Sequence, residues 1–122
     1  MTSIHRFDQI RWHVPPTDAA ALDLSLEPAD DAPGRKFLAQ GEGGFYTQVV
    51  RIPPGFDAPL HRHDHAEVFM VLEGSCLFNG ELMQRFDQTV VDADEPYGFV
   101  AGSDGVHFLV VRQGAARFLA EE

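Results

Sequence analysis

Gly55-Phe56-Asp57-Ala58-Pro59-Leu60-His61-Arg62-His63-Asp64-His65-Ala66-Glu67-Val68-Phe69-Met70-Val71-Leu72-Glu73-Gly74 is the stretch that decides how this chain is read. Three histidines fall at alternate positions, and Glu67 keeps the alternation. On extended backbone, residues 61, 63, 65 and 67 share parity and project to one side. An apolar run, Val68 to Leu72, follows at once, and Pro53-Pro54-Gly55 ends whatever precedes. Imidazole and carboxylate groups beside a buried strand cost on the order of a few kcal/mol unless a metal or a hydrogen-bond partner compensates them. Divalent ions of the first transition row favour imidazole nitrogen, with a carboxylate for charge. Two histidines and one carboxylate leave coordination positions open, as in non-haem iron(II) sites and in Lewis-acid catalysis. His61, His63 and Glu67 are therefore candidate ligands, with Fe2+ favoured and Mn2+, Ni2+ or Zn2+ as alternatives. His65 falls where the chain must bend and is expected on the rim.

Outward from this stretch the pattern is β throughout. Phe37–Gln40 precedes a Gly41-Glu42-Gly43-Gly44 turn, and Phe45–Ile52 is rich in aromatic and β-branched residues. Glu67–Leu72 is expected to close at Glu73-Gly74. Ser75–Phe78 leads into Asn79-Gly80, the strongest two-residue hairpin signal, and Glu81–Met83 returns. Thr89–Val91, Tyr97–Val100 and Val106–Arg112 complete the series, the last two joined through Gly102-Ser103-Asp104-Gly105. Residues 114–121 are the one place for a helical turn. Short strands with frequent turns predict an all-β sandwich or barrel. Residues 1–36 read as an irregular arm, broken by Pro15-Pro16, Pro28 and Pro33-Gly34. Leu22, Leu24 and Leu26 suggest a short strand in it, and Trp12 would anchor it to the barrel or to a second subunit.

The chain has 122 residues, enough for one domain. Its formal charge of −10 repels phosphate backbones and anionic membranes, which argues against nucleic-acid and membrane partners. One cysteine, Cys76, permits no intrachain disulfide, and the N-terminus lacks the apolar core of a signal peptide. The expected location is the cytoplasm.

The same residues resemble the first motif of the cupins: glycine, five residues, His-x-His, three or four residues, Glu, six residues, glycine. Gly55, His61, His63, Glu67 and Gly74 keep every spacing, and the resemblance runs from Phe37 to Arg112. It implies a double-stranded β-helix (cupin/jelly-roll) barrel over residues 37–122, with His61, His63 and Glu67 as ligands inside one mouth and a homodimer as the assembly. The second motif departs from the family. Phe86, Asp92, Asp94 and Tyr97 stand where it has glycine, proline, glycine and the fourth histidine ligand. Tyr97 has three readings: a phenolate ligand, a protonated hydrogen-bond donor to substrate or metal-bound water, or a filler of the cavity. The donor role is the expected one, since a free phenol titrates near pH 10. With the last hairpin in its simplest register His107 points outward, and a slip by one residue would turn it inward as a replacement ligand. Parity assigns Phe69, Val71 and Phe99 to the pocket wall. His5 and His13 belong to the arm, and Asp92 and Asp94 to a solvated loop.

The function so predicted is a metal-dependent enzyme on a small, partly apolar organic molecule. Its leading form is dioxygenase-type cleavage of a carbon–carbon bond, with Tyr97 orienting the substrate. The alternatives are an oxygen-independent isomerase or lyase and a non-catalytic binding module.

Overall fold

A computed structural model of the chain describes residues 2–14, 32–114 and 119–120. Eight strands form one sheet that closes on itself: β1 (Gly34–Gln40), β2 (Tyr46–Ile52), β3 (Asp57–Arg62), β4 (Glu67–Phe78), β5 (Glu81–Met83), β6 (Gln88–Val91), β7 (Tyr97–Arg112) and β8 (Leu119–Ala120). All the pairings are antiparallel. The strand β7 is the spine. Along one edge it pairs with β4, and along the other with β3 near its start and β2 near its end. The segment β4 also carries the short partners β5 and β6. This is the all-β barrel of the double-stranded β-helix type that the sequence predicts.

Alternation places the core. Phe69 and Val71 on β4 and Val106, Phe108 and Val110 on β7 point inward and are buried. The Phe69 ring stacks on Phe108 with centroids 4.2 Å apart, and Phe78 and Phe99 close around it at 5.0 and 5.8 Å. The Asn79-Gly80 hairpin forms as expected, with both residues at positive φ (48° and 83°).

Several boundaries differ from the sequence reading. Glu73-Gly74 does not end a strand, and residues 102–105 do not make a hairpin turn: β4 and β7 run through as continuous strands. Their ladder slips between Val71 and Glu73 and again between Gly74 and Cys76. Gly74 and Gly105, at φ 77° and 76°, face each other there, and a Cβ on Gly74 would overlap the Gly105 carbonyl. The glycines read as turns are bulges that bend two long strands round the barrel. The strand β3, not assigned from sequence, pairs with β7. Leu119–Ala120 is a strand against His61 and Arg62, where a helical turn was the expectation. The strand suggested for Leu22–Leu26 lies outside the described residues.

Residues 2–14 lie against the outer side of β1. His13 pairs with Arg35 through two backbone bonds of 2.8 and 2.9 Å. The Lys36 ammonium donates to the Phe7 carbonyl at 2.7 Å and sits 3.9 Å from the Phe7 ring centroid. Trp12 packs edge-on to Phe7 and His107, at 5.8 and 6.1 Å, and anchors this segment to the barrel. No helix among the described residues is long and apolar enough to cross a membrane.

Candidate functional site at the barrel mouth

The histidine stretch straddles two strands. His61 ends the inward row of β3, His63 lies just past it, and Glu67 opens β4. The bend between them is pinned from the β6–β7 loop: the Asp94 amide donates to the His63 carbonyl at 2.7 Å, and Arg62 donates to the Asp94 carboxylate at 2.7 Å. Cross-strand register supplies the rest. His61 stands opposite Tyr97, and Glu67 opposite Arg112. Five polar side chains thereby converge in the interior: His61, His63, Glu67, Tyr97 and Arg112, each no more than 8% exposed.

Bonds join four of them, Tyr97, Glu67, Arg112 and His63, in one network. The Tyr97 hydroxyl donates to Glu67 Oε1 at 2.5 Å, and Arg112 Nε donates to Glu67 Oε2 at 2.6 Å. Arg112 Nη2 donates to His63 Nε2 at 3.2 Å, so that nitrogen is the unprotonated one, since a guanidinium can only donate. His61 Nδ1 donates to the Pro59 carbonyl at 2.9 Å, which leaves Nε2 without a proton on the neutral ring. The two imidazoles lie 5.0 Å apart, and the Tyr97 ring lies 4.5 Å from His61.

Burial and the adjacent Glu67 carboxylate both push the Tyr97 phenol well above its ordinary value. Tyr97 is thus a neutral donor, and its acceptor is Glu67. Burial lowers the His61 imidazole, against the pull of the Pro59 carbonyl bond. The Tyr97 ring stacks on Phe78 at 5.0 Å and meets Phe69 at 6.4 Å. Phe69 forms the floor of the centre, while Val71 and Phe99 belong to the packed core below it. His107 points outward toward Glu73 at 3.7 Å. His65 lies on the rim, 3.6 Å from the Asp64 carboxylate and packed against Gly114. Asp92 is exposed, and Asp94 does the pinning described above.

Sequence reading missed Arg112. A signal was present, because Phe108 and Val110 point inward and the same parity, carried two residues further, reaches it. Arg35 and Gln48 were missed as well. Arg35 sits on β1, in the stretch assigned to the arm, and donates to Gln48 Oε1 at 3.2 Å.

By residue type, His61, His63 and Glu67 are a donor set for a divalent metal. By arrangement they do not fit one. The Arg112 guanidinium stands between Glu67 Oε2 and His63 Nε2, where the ion's charge would lie, and Tyr97 takes the other carboxylate oxygen. Among the described residues no group of three His, Cys, Asp or Glu side chains is placed to hold a metal. Here the positive charge comes from the chain itself.

A closed antiparallel barrel with a polar centre held by the His-x-His stretch and the spine strand defines the class of protein. The family model described as "Cupin domain" matches residues 48–112, more than half of the chain, and the chain belongs to the cupin family. Solved structures share the fold. KdgF from Halomonas sp. is 16% identical with a TM-score of 0.69, the match covering 94% of this chain and 96% of that one. The polyketide cyclase RemF from Streptomyces resistomycificus is 20% identical with a TM-score of 0.71, covering 100% and 86%. The DMSP lyase DddQ from Ruegeria pomeroyi is 18% identical with a TM-score of 0.70, covering 91% and 60%. At such identities the likeness is one of fold. A search of curated proteins finds no match.

Proposed function

We propose that this cupin is an enzyme that moves a proton on a small organic carbonyl compound, at the centre formed by Tyr97, Glu67, Arg112, His63 and His61. One observation carries the reading: Tyr97, Glu67, Arg112 and His63, capable of proton transfer or charge stabilisation, are buried and bonded together, with Arg112 as a permanent cation. Burying such groups costs stability, and perturbed titratable groups cluster at functional sites. In this reading a neutral imidazole, His61 or His63, accepts the proton. Arg112 stabilises the oxyanion that develops on the substrate, as a fixed cation in a water-poor site does. Tyr97, neutral, donates its hydroxyl hydrogen to Glu67 and so holds that carboxylate in place beside Arg112. The cyclase and the lyase named among the structural neighbours support enzymatic use of this barrel.

A second reading has its own support. The bond from His61 Nδ1 to the Pro59 carbonyl is the orientation that ligating imidazoles adopt. In it, His61, His63 and Glu67 hold a divalent ion, Fe2+ first, with Arg112 turned aside. The ion would supply Lewis acidity or the oxygen-dependent carbon–carbon cleavage expected from the sequence.

Both readings place the protein in the cytoplasm, as a homodimer, with Cys76 reduced and unreactive. Burial pushes that thiol up to about 11.

The test uses purified protein from metal-supplemented, anaerobic growth, metal analysis, and mass-spectrometric solvent-deuterium exchange into β-diketones and 2-oxo acids. The expected result is chelator-insensitive exchange at substoichiometric metal, reduced about 100-fold or more in Arg112→Met and His63→Gln. One metal per chain together with oxygen uptake overturns it in favour of the second reading.

A further inference from the structure

The inward rows of β1, β2 and β7 bring two guanidiniums to the same end of the barrel. Arg35 on β1 stands opposite Val50, Gln48 on β2 opposite Val110, and Arg112 ends β7 opposite Glu67. Arg112 donates to Glu67 and to His63. For Arg35, Nη1 donates to Gln48, but among the described residues its buried Nε has no hydrogen-bond partner. Burial, and then the neighbouring Arg112, pull the Arg35 guanidinium down to about 10. Among the described residues the carboxylate that acts on Arg35 is Glu67, which already serves Arg112 and Tyr97.

Among the described residues, two guanidiniums against one carboxylate leave one excess positive charge. A buried charge without a counter-charge is strongly unfavourable, and so is a buried donor without an acceptor. The Arg35 guanidinium also lies 5.8 Å from the Phe37 ring centroid, a contact that supplies no counter-charge. The residue as a whole is half-buried. An arginine kept at this cost, with its Nε open beside a second arginine, suits a planar anion, which a guanidinium grips through its planar fork.

We propose that Arg35, assisted by Gln48 and Arg112, binds the carboxylate of a monoanionic organic ligand. One excess charge matches one carboxylate and leaves a dianionic phosphate overcompensated. The proposal names the substrate class of the centre and rests on the proton-transfer reading only for turnover; binding stands by itself. The substrate is then a carboxylic acid whose reacting carbonyl reaches Arg112 while its carboxylate stays on Arg35.

The probes are acetate, benzoate and 2-oxobutanoate, with benzamide as the neutral partner of benzoate, measured by calorimetry and thermal melting on the full chain. The expected result is saturable binding of at least one carboxylate, none of benzamide, and about 10- to 100-fold weaker binding in Arg35→Gln. Arg35→Lys should keep part of the affinity, because the charge remains and the fork is lost. In the absence of ligand Arg35→Gln should melt roughly 3–6 °C higher, since it removes an uncompensated charge. A merely structural arginine would give the opposite shift. Failure of every carboxylate to bind, equal binding of benzoate and benzamide, or a lower melting point in Arg35→Gln overturns the proposal. Carboxylate binding with no deuterium exchange would sink the catalytic reading alone. Exchange on β-diketones but not on 2-oxo acids would sink this one alone.

Discussion

Glu67 is the residue on which the interior balances, because each of its carboxylate oxygens holds a donor that has no water to turn to. Removing the charge takes away the carboxylate that acts on both Arg112 and Arg35. Glu67→Gln should therefore destabilise by about 3–5 kcal/mol, the range for breaking a buried ion pair. Tyr97→Phe removes one hydrogen bond to a charged acceptor and leaves Oε1 unsatisfied, and should cost about 1.5–3 kcal/mol. Urea melts of both variants check the order. If Tyr97→Phe proved the more damaging, the Tyr97 hydroxyl would contribute more to the balance than the Arg112–Glu67 ion pair. This pairing was half legible. Composition and spacing single out Glu67 and Tyr97, but the partner that Tyr97 finds depends on two strands meeting in a register that local sequence does not encode.

At the scale of elements the motif glycine is the informative one. Gly74 resembles a strand end because glycine interrupts an apolar run, yet the chain continues through it into Phe78. Its positive φ and the Gly105 carbonyl opposite make it a bulge, and the bulge lets β4 and β7 pair along their whole lengths. Only that continuity brings Glu67 beside Arg112 at one end and Phe78 beneath Tyr97 at the other. Gly74→Ala should lower stability by about 1–3 kcal/mol for the strained backbone alone, with more for the clash. Thermal unfolding measures the loss, and a neutral result would mean that the ladder slips without that glycine. Turn and bulge share a sequence signature, and what separates them is whether a partner strand lies alongside.

For the whole molecule, the outer side carries exposed apolar groups where β4, β5 and β7 run together. Leu77 stands opposite both Leu82 and Val100, and the three are 46%, 59% and 37% exposed. The homodimer expected from the sequence would use a face of this kind, and Leu82→Glu should then return the protein to monomer in sedimentation, with the fold intact by circular dichroism. A wild-type monomer at tens of micromolar would remove the expectation. By itself the sequence determined the all-β class, the cupin motif from Gly55 to Gly74, the Asn79-Gly80 hairpin and the inward row of His61, His63 and Glu67. These follow from periodicity and turn chemistry, which act between near neighbours. Tertiary structure alone decided which cation those groups meet. Arg35 and Arg112 are 77 positions apart in the numbering and converge only because β1, β2 and β7 lie side by side. A charge buried across that distance has its energy set by the closed barrel, and no local pattern announces it.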